Sequence, residues 1–175
     1  FTMVVKKVGK LTLKKARLKD VEPIAESIRK SDREELRMLD VDPTHALIYP
    51  FTQKKSTIYT LFSKKKPIAM LGTGWDQTTK NKAQVWMLAT VDLEDNYFSF
   101  LRGSRSVVDL LQEDYDKIYN YIPVNDRRTQ QWLCFCGFEF ETNIYNINNY
   151  QFIKFFRCNY KENSFINEES RPVMH

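Results

Sequence analysis

The residues of this chain that could do chemistry fall into a few clusters. Cys134 and Cys136 form a C-x-C pair, Cys158 follows, and histidines stand only at 45 and 175. A structural metal site needs four nitrogen or sulfur ligands at compatible spacing. No second cysteine pair completes that set, so buried free thiols of a reducing compartment are expected, and no metal. Arg102, Gly103, Ser104 and Arg105 lie together in FLRGSRS. At a helix start, two guanidiniums and free backbone N–H groups could hold an anion there. The same residues also read as an ordinary exposed helix start. Lysines crowd the first half, as in KK at 6–7, 14–15 and 54–55 and KKK at 64–66, and the net charge is +5. That density fits contact with nucleic acid or an acidic partner, or merely solvated strand ends. Lysine outnumbers arginine in these runs, which favours the second reading, because arginine is the better reader of phosphate.

The elements that must position these residues can be read from pattern. The chain has 175 residues, 42% hydrophobic and 28% charged, which suits one globular domain with a core. We expect that domain over residues 1–160, with a polar tail over 161–175 that orders on a partner. No run approaches the ~18 consecutive apolar residues of a membrane helix. The opening FTMVVKKVGK is not expected to be a signal peptide, because its apolar run is short and its lysines follow it. Residues 11–18 (LTLKKARL) alternate as a strand should, and Asp20 then suggests a helix N-cap with Pro23 in the first turn. Ser31 and Glu34 have the S-x-x-E form of a capping box opening a second helix. A short helix is possible at 45–49. Three alternating runs at 57–62, 67–75 and 84–91 predict an antiparallel meander, with Gly72 and Gly74 marking a bulge or a close backbone approach. Residues 96–118 read as mostly helical. A strand at 119–124 leads into NDRRTQQWLCFCGFEFE, which reads as a helix ending at Gly137 and feeding a strand at Phe138. The aromatic run at 150–156 is expected to pair as a terminal strand. The predicted class is α+β, with a central mixed, mostly antiparallel sheet flanked by helices.

This order resembles the GNAT fold of acetyl-CoA-dependent N-acyltransferases. The matching residues are the strand 119–124, Asn125, the helix 127–136, and Gly137-Phe138. A narrower resemblance spans about residues 11–141. VWMLATVDL, FLRGSRSVVDLL and YNYIPVNDRRTQQWLCFCGF, in that order, are similar to segments of the internal virion protein A family of short-tailed phages. That resemblance implies a virion or assembly protein. Its partners would be other phage virion proteins, and it would be found in the virion or the host cytoplasm.

The broader resemblance implies what an active site would need. A GNAT enzyme cradles the cofactor's pyrophosphate with a loop containing a glutamine or arginine and two small residues. The equivalent place here is FLRGSRS, where only Gly103 remains of that pattern, with Arg102, Ser104 and Arg105 as weak cofactor contacts. Many such enzymes use a tyrosine four residues before the glycine of the Gly-Phe step as general acid. Leu133 stands there and cannot donate a proton; Tyr115, Tyr119 or Tyr121 would have to replace it, Tyr121 being the one we name. For the general base, Asp76 and Asp92 follow central strands, and Asp92 is preferred. Trp86 stands mid-strand where an acyl channel would run, and is expected to leave little room. The implied reading is a catalytically degenerate fold with no cofactor. The alternative is an active enzyme that binds acetyl-CoA and modifies a host or phage protein.

Overall fold

The computed structural model describes residues 3–159. The polar tail expected at 161–175 therefore lies outside the described residues. Eight strands form one sheet in the order β1-β2-β3-β4-β5-β6-β8-β7. They are β1 (Val4–Val8), β2 (Leu11–Lys15), β3 (Thr57–Ser63), β4 (Lys66–Trp75), β5 (Lys82–Ala89), β6 (Lys117–Pro123), β7 (Glu139–Ile147) and β8 (Tyr150–Cys158). Every neighbouring pair is antiparallel except β5 and β6. Helices α1 (Val21–Glu26), α2 (Lys30–Met38) and α3 (Pro43–Thr52) connect β2 to β3; α4 (Asp92–Asp95) and α5 (Tyr97–Gln112) connect β5 to β6; α6 (Arg127–Phe135) connects β6 to β7. The α+β class and the mostly antiparallel sheet are as the sequence predicts.

The sheet has apolar packing on both faces. One cluster joins Leu61, Leu71, Val85 and Ile118 to Phe100, Val107 and Leu111 of α5. A second joins Met70 to Val21 and Ile24 of α1 and Leu47 of α3. Leu133 and Phe138 are buried, whereas Trp132 is only partly so. Two glycines do the work expected of them. Gly137 takes φ +89° just after α6, a conformation that penalises any side chain. Gly72 faces β3 so closely that a Cβ would lie 2.0 Å from the Thr57 carbonyl oxygen.

Several local expectations are corrected. Strand β1 was not expected; Gly9, at φ +61°, turns it into β2. Asp20 does not cap α1 with its side chain. Its carboxylate accepts from Arg17 N at 2.9 Å and from the Thr60 hydroxyl at 3.0 Å. Helix α2 begins at Lys30, so Ser31 lies within it and forms no capping box. The run at 150–156 is last in sequence among the strands but not last in space, since β8 pairs with β6 on one side and β7 on the other. Of the three thiols, all free, only Cys136 is buried, and Cys134 is exposed. Among the described residues no group of three or more His, Cys, Asp or Glu side chains gathers as a metal site, and no helix is long and apolar enough to cross a membrane.

Candidate functional site

The one parallel contact in the sheet is short. Strands β5 and β6 pair only from Lys82 to Gln84 against Lys117 to Tyr119. Beyond that the ladder stops, and the amide of Asn120 bridges the parting strands by donating to the Val85 carbonyl at 2.8 Å. A strand edge without a partner strand is exposed backbone, and it must be covered, filled or used. Here the parting opens into a cleft of about 520 Å³ beside α2 and α3, walled by Trp86, Tyr121, Trp132, Phe152 and Phe155. A second, nearly apolar cavity of about 70 Å³ lies among Phe100, Val107, Leu111 and Phe138. The two share Val85, Trp86, Met87, Trp132, Leu133 and Phe155, so the split in the sheet is bounded by the same side chains from both sides. The expectation that Trp86 leaves little room is thus corrected: its indole forms a wall of the cleft and does not fill it.

Further along, the same edge of β5 is closed by the chain itself. Arg29 N donates to the Ala89 carbonyl at 2.9 Å, and Val91 N donates to the Ser27 carbonyl at 3.0 Å. Ile28 and Thr90 form an antiparallel bridge. The Asp32 carboxylate accepts from Ala89 N at 2.8 Å and from Arg29 Nε at 2.7 Å. This clip fixes the first turn of α2 against the sheet. One turn later, the side chain of Glu35 reaches the cleft.

Glu35 is the one cleft group with strongly shifted acidity. Its pKa is pushed up to about 8, first by burial, then by repulsion from Asp32 and Asp126, with Arg29 partly opposing. Its carboxyl has no hydrogen bond or ion pair among the described residues, while Arg29 is engaged by Asp32. A carboxyl held near neutrality in a walled cleft can accept a proton from a bound group, or serve as its counter-charge. Sequence reasoning missed it by reading the segment as a capping box. The available signal was Asp32, Glu35, Leu36 and Leu39 at helical spacing, which puts two acids on an apolar stripe.

The residues chosen from sequence are dispersed. Tyr121 does line the cleft, with its ring edge-on to Tyr145 at 5.1 Å. Tyr119 donates its hydroxyl to Asp76 at 2.8 Å, and burial followed by that bond pushes its pKa up to about 12, so it holds its proton. Hydrogen bonds from Thr78 and Tyr119 hold Asp76 below the usual carboxylate range, which makes it a poor base. Tyr115 packs against the core. Asp92 opens α4 and pairs with Lys66 at 2.9 Å, away from the residues that wall the cleft. The indole N–H of Trp132 is buried with no hydrogen-bond partner.

Arg102, Gly103, Ser104 and Arg105 do not form a loop at a helix start. They lie inside α5, which begins at Tyr97. Gly103 admits Val8 of β1, since a Cβ there would meet Val8 Cγ1 at 2.3 Å. Ser104 is buried and donates to the Leu101 carbonyl at 3.0 Å. Both arginines are exposed. The segment that actually leads from β5 to α5, residues 90–96, contains no glycine and includes Asp92, Glu94 and Asp95. Lys66 pairs with Asp92 and Arg128 with Glu94, which leaves Asp95 in excess. A pyrophosphate would meet carboxylates there instead of a small-residue cradle, so these residues do not fit the nucleotide end of acetyl-CoA.

Comparison with solved structures returns acetyltransferases. One from Thermus thermophilus matches with TM-score 0.64 and 12% identity, over 88% of this chain and 100% of that one. Spermidine N-acetyltransferase from Vibrio cholerae, solved with CoA and spermine, matches with TM-score 0.64 and 14% identity, over 85% and 95%. An aminoglycoside acetyltransferase in complex with coenzyme A matches with TM-score 0.61 and 16% identity, over 91% and 99%. The fold is therefore that of the GNAT acyltransferases. No protein-family model and no curated protein matches the sequence.

Proposed function

We propose that this chain is a binding protein built on the acyltransferase fold and does not transfer acyl groups. The observation that carries this reading is the β5–α5 connection. Residues 90–96 offer three carboxylates and no glycine where the fold's cofactor would need a small-residue, anion-accepting turn. The clip of Arg29 and Asp32 on Ala89 supports it, because the backbone groups of β5 at that end are already paired within the chain. The resemblance of VWMLATVDL, FLRGSRSVVDLL and YNYIPVNDRRTQQWLCFCGF to phage internal virion proteins supports a role in the virion or its assembly. In that role the partners would be other virion proteins. Calorimetry with acetyl-CoA tests the central statement: the expected dissociation constant is weaker than about 1 mM, or less than about 4 kcal/mol of affinity. Micromolar binding would overturn it. Mass spectrometry of purified particles tests the assembly role, and absence of this chain from them would count against it.

Glu35 favours one alternative, an active N-acyltransferase. A cleft carboxyl with pKa near 8 is suited to removing a proton from an incoming amine. In that reading Tyr121 would be the proton donor, and acetyl-CoA would be bound by contacts other than a phosphate loop. Release of free thiol from acetyl-CoA in the presence of an amine would support it over the first reading.

A further inference from the structure

We propose that the cleft between β5, β6 and α2 binds an organic monocation with a sizeable apolar body, and that Glu35 is its counter-charge. The cleft's volume of about 520 Å³ is that of a small-molecule site, and its walls are largely apolar, with the rings of Trp86, Trp132, Phe152 and Phe155 set among aliphatic side chains and Tyr121 at the β6 side, where Lys154 already lies 6.0 Å from its ring. Electron-rich ring faces attract cations, and most strongly where water is excluded. Rings alone would suit any apolar ligand. Glu35 makes the difference, because it is half-buried at such walls, and an acid that loses part of its hydration there is unfavourable unless something compensates it.

The charges around the cleft define what that compensation must be. Arg29, from the α1–α2 connection, is spent on Asp32, which it grips through Nε at 2.7 Å and Nη2 at 3.2 Å. Asp32 also accepts from Ala89 N. Asp126, in the β6–α6 turn, accepts from Thr129 N at 3.2 Å as the cap of α6. Tyr121 of β6 and Tyr49 of α3 complete the titratable lining. Among the described residues Glu35 is thus the one carboxyl of the cleft that lacks a partner, and Asp32 and Asp126 both repel its ionised form, with Arg29 partly opposing. Among the described residues an anion would find no free guanidinium or ammonium in the lining. A dication would find only one unmatched carboxylate.

Binding must then be coupled to a proton. Below about pH 8 the unliganded carboxyl holds its proton. A cation binding beside it favours the ionised form, so the proton leaves to solvent as the cation enters. Affinity for a cation of fixed charge therefore rises with pH, by up to about tenfold per unit below pH 8, and levels off above it.

Benzyltrimethylammonium is a suitable probe because its own charge does not titrate. Its binding would be followed by calorimetry and by quenching of tryptophan fluorescence, with benzyl alcohol and benzenesulfonate as uncharged and anionic controls and no acetyl-CoA present. The expected result is tighter binding of the cation than of either control, with affinity rising from pH 6 to 8. Calorimetry at pH 7 in two buffers of different ionisation enthalpy should show close to one proton released per cation bound. Glu35→Gln should abolish the pH dependence and weaken binding at pH 9 by at least about tenfold. Equal affinity for benzyl alcohol, no proton release from the unaltered protein, or an unchanged pH profile in the variant would overturn the proposal. So would the absence of cation binding at millimolar concentration. The proton-release measurement needs no substitution, so a variant that folded poorly would not leave the matter open. None of these readouts depends on whether acetyl-CoA binds, so the cofactor reading stands or falls separately.

Discussion

The two ends of one strand edge have met opposite fates. Over residues 85–88, β5 has parted from β6 and no strand pairs with that edge. At Ala89 and Thr90 the same edge is sealed by the α1–α2 connection through backbone bonds, a bridge and a carboxylate. An unpaired edge in water invites unwanted pairing, so a protein that leaves part of one open while sealing the rest has separated two tasks. The open part is walled with apolar side chains, aromatic rings among them, and holds an acid that has no partner among the described residues. The sealed part holds an acid with every nearby donor satisfied. Asp32 and Glu35 stand one helical turn apart, and their difference in environment marks the boundary between structure and site.

The largest expected effect comes from breaking the seal. Asp32 is buried, at 5% exposure, and serves both the Arg29 guanidinium and Ala89 N. Asp32→Ala leaves a partly buried cation and a backbone donor without partners. It should cost roughly 3 kcal/mol in urea denaturation, because removing one member of a buried pair leaves the other uncompensated. A loss under about 1 kcal/mol would mean that the clip is not what holds α2 to the sheet.

At the open end, the expected effect depends on pH. The ordinary carboxyl value for Glu35 is 4.5, and the fold raises it to about 8. Below about 4.5 the group is protonated in both folded and unfolded chains. Between the two values the folded chain keeps a proton that the unfolded chain releases, so stability falls as pH rises. Above about 8 both forms are ionised and the loss is complete. Glu35→Gln cannot ionise and should escape this fall. The variant should therefore gain stability relative to the parent between pH 5 and 8, by about 1–3 kcal/mol once partial exposure is allowed for. Parallel stability–pH curves for the two proteins would show that Glu35 is solvated.

Much of the architecture was legible because it rests on local signals. The meander at 57–91 shows alternation, and the helix that ends at Gly137 requires a residue free to take positive φ. What was not legible depends on contacts between distant segments. Gly103 looked like part of a phosphate loop, yet its missing Cβ makes space for Val8, about a hundred residues earlier in the chain. Sequence alone cannot tell a glycine needed for conformation from one needed for close packing. Strand β8 was visible as an aromatic run, but its place between β6 and β7 follows from tertiary pairing. For the site, Tyr121 was within reach as a residue of a strand beside the split. Asp92 was favoured because it follows β5, a criterion of position along the chain that says nothing about which way the side chain turns. Glu35 was hidden by a capping motif that its own neighbours Ser31 and Glu34 imitate.

Asp92 supplies the smallest expected effect and a check on the whole contrast. Its ion pair with Lys66 is at the surface, with side chains 27% and 64% exposed. Such pairs contribute little, because water screens them and two side chains must be ordered to form them. Most of what shapes the segment survives its loss. Asn96 donates to the Asp92 backbone carbonyl at 3.0 Å, and Thr90 N donates to the Ile68 carbonyl at 2.8 Å. Asp92→Asn should therefore change stability by less than about 0.5 kcal/mol and leave binding in the cleft unchanged. If the protein proves to have acyltransferase activity, the same substitution should spare it, whereas Glu35→Gln should not. A variant at Asp92 that kept its fold but lost that activity would move the chemistry to the sealed end of β5, and the division drawn between the two ends would be wrong.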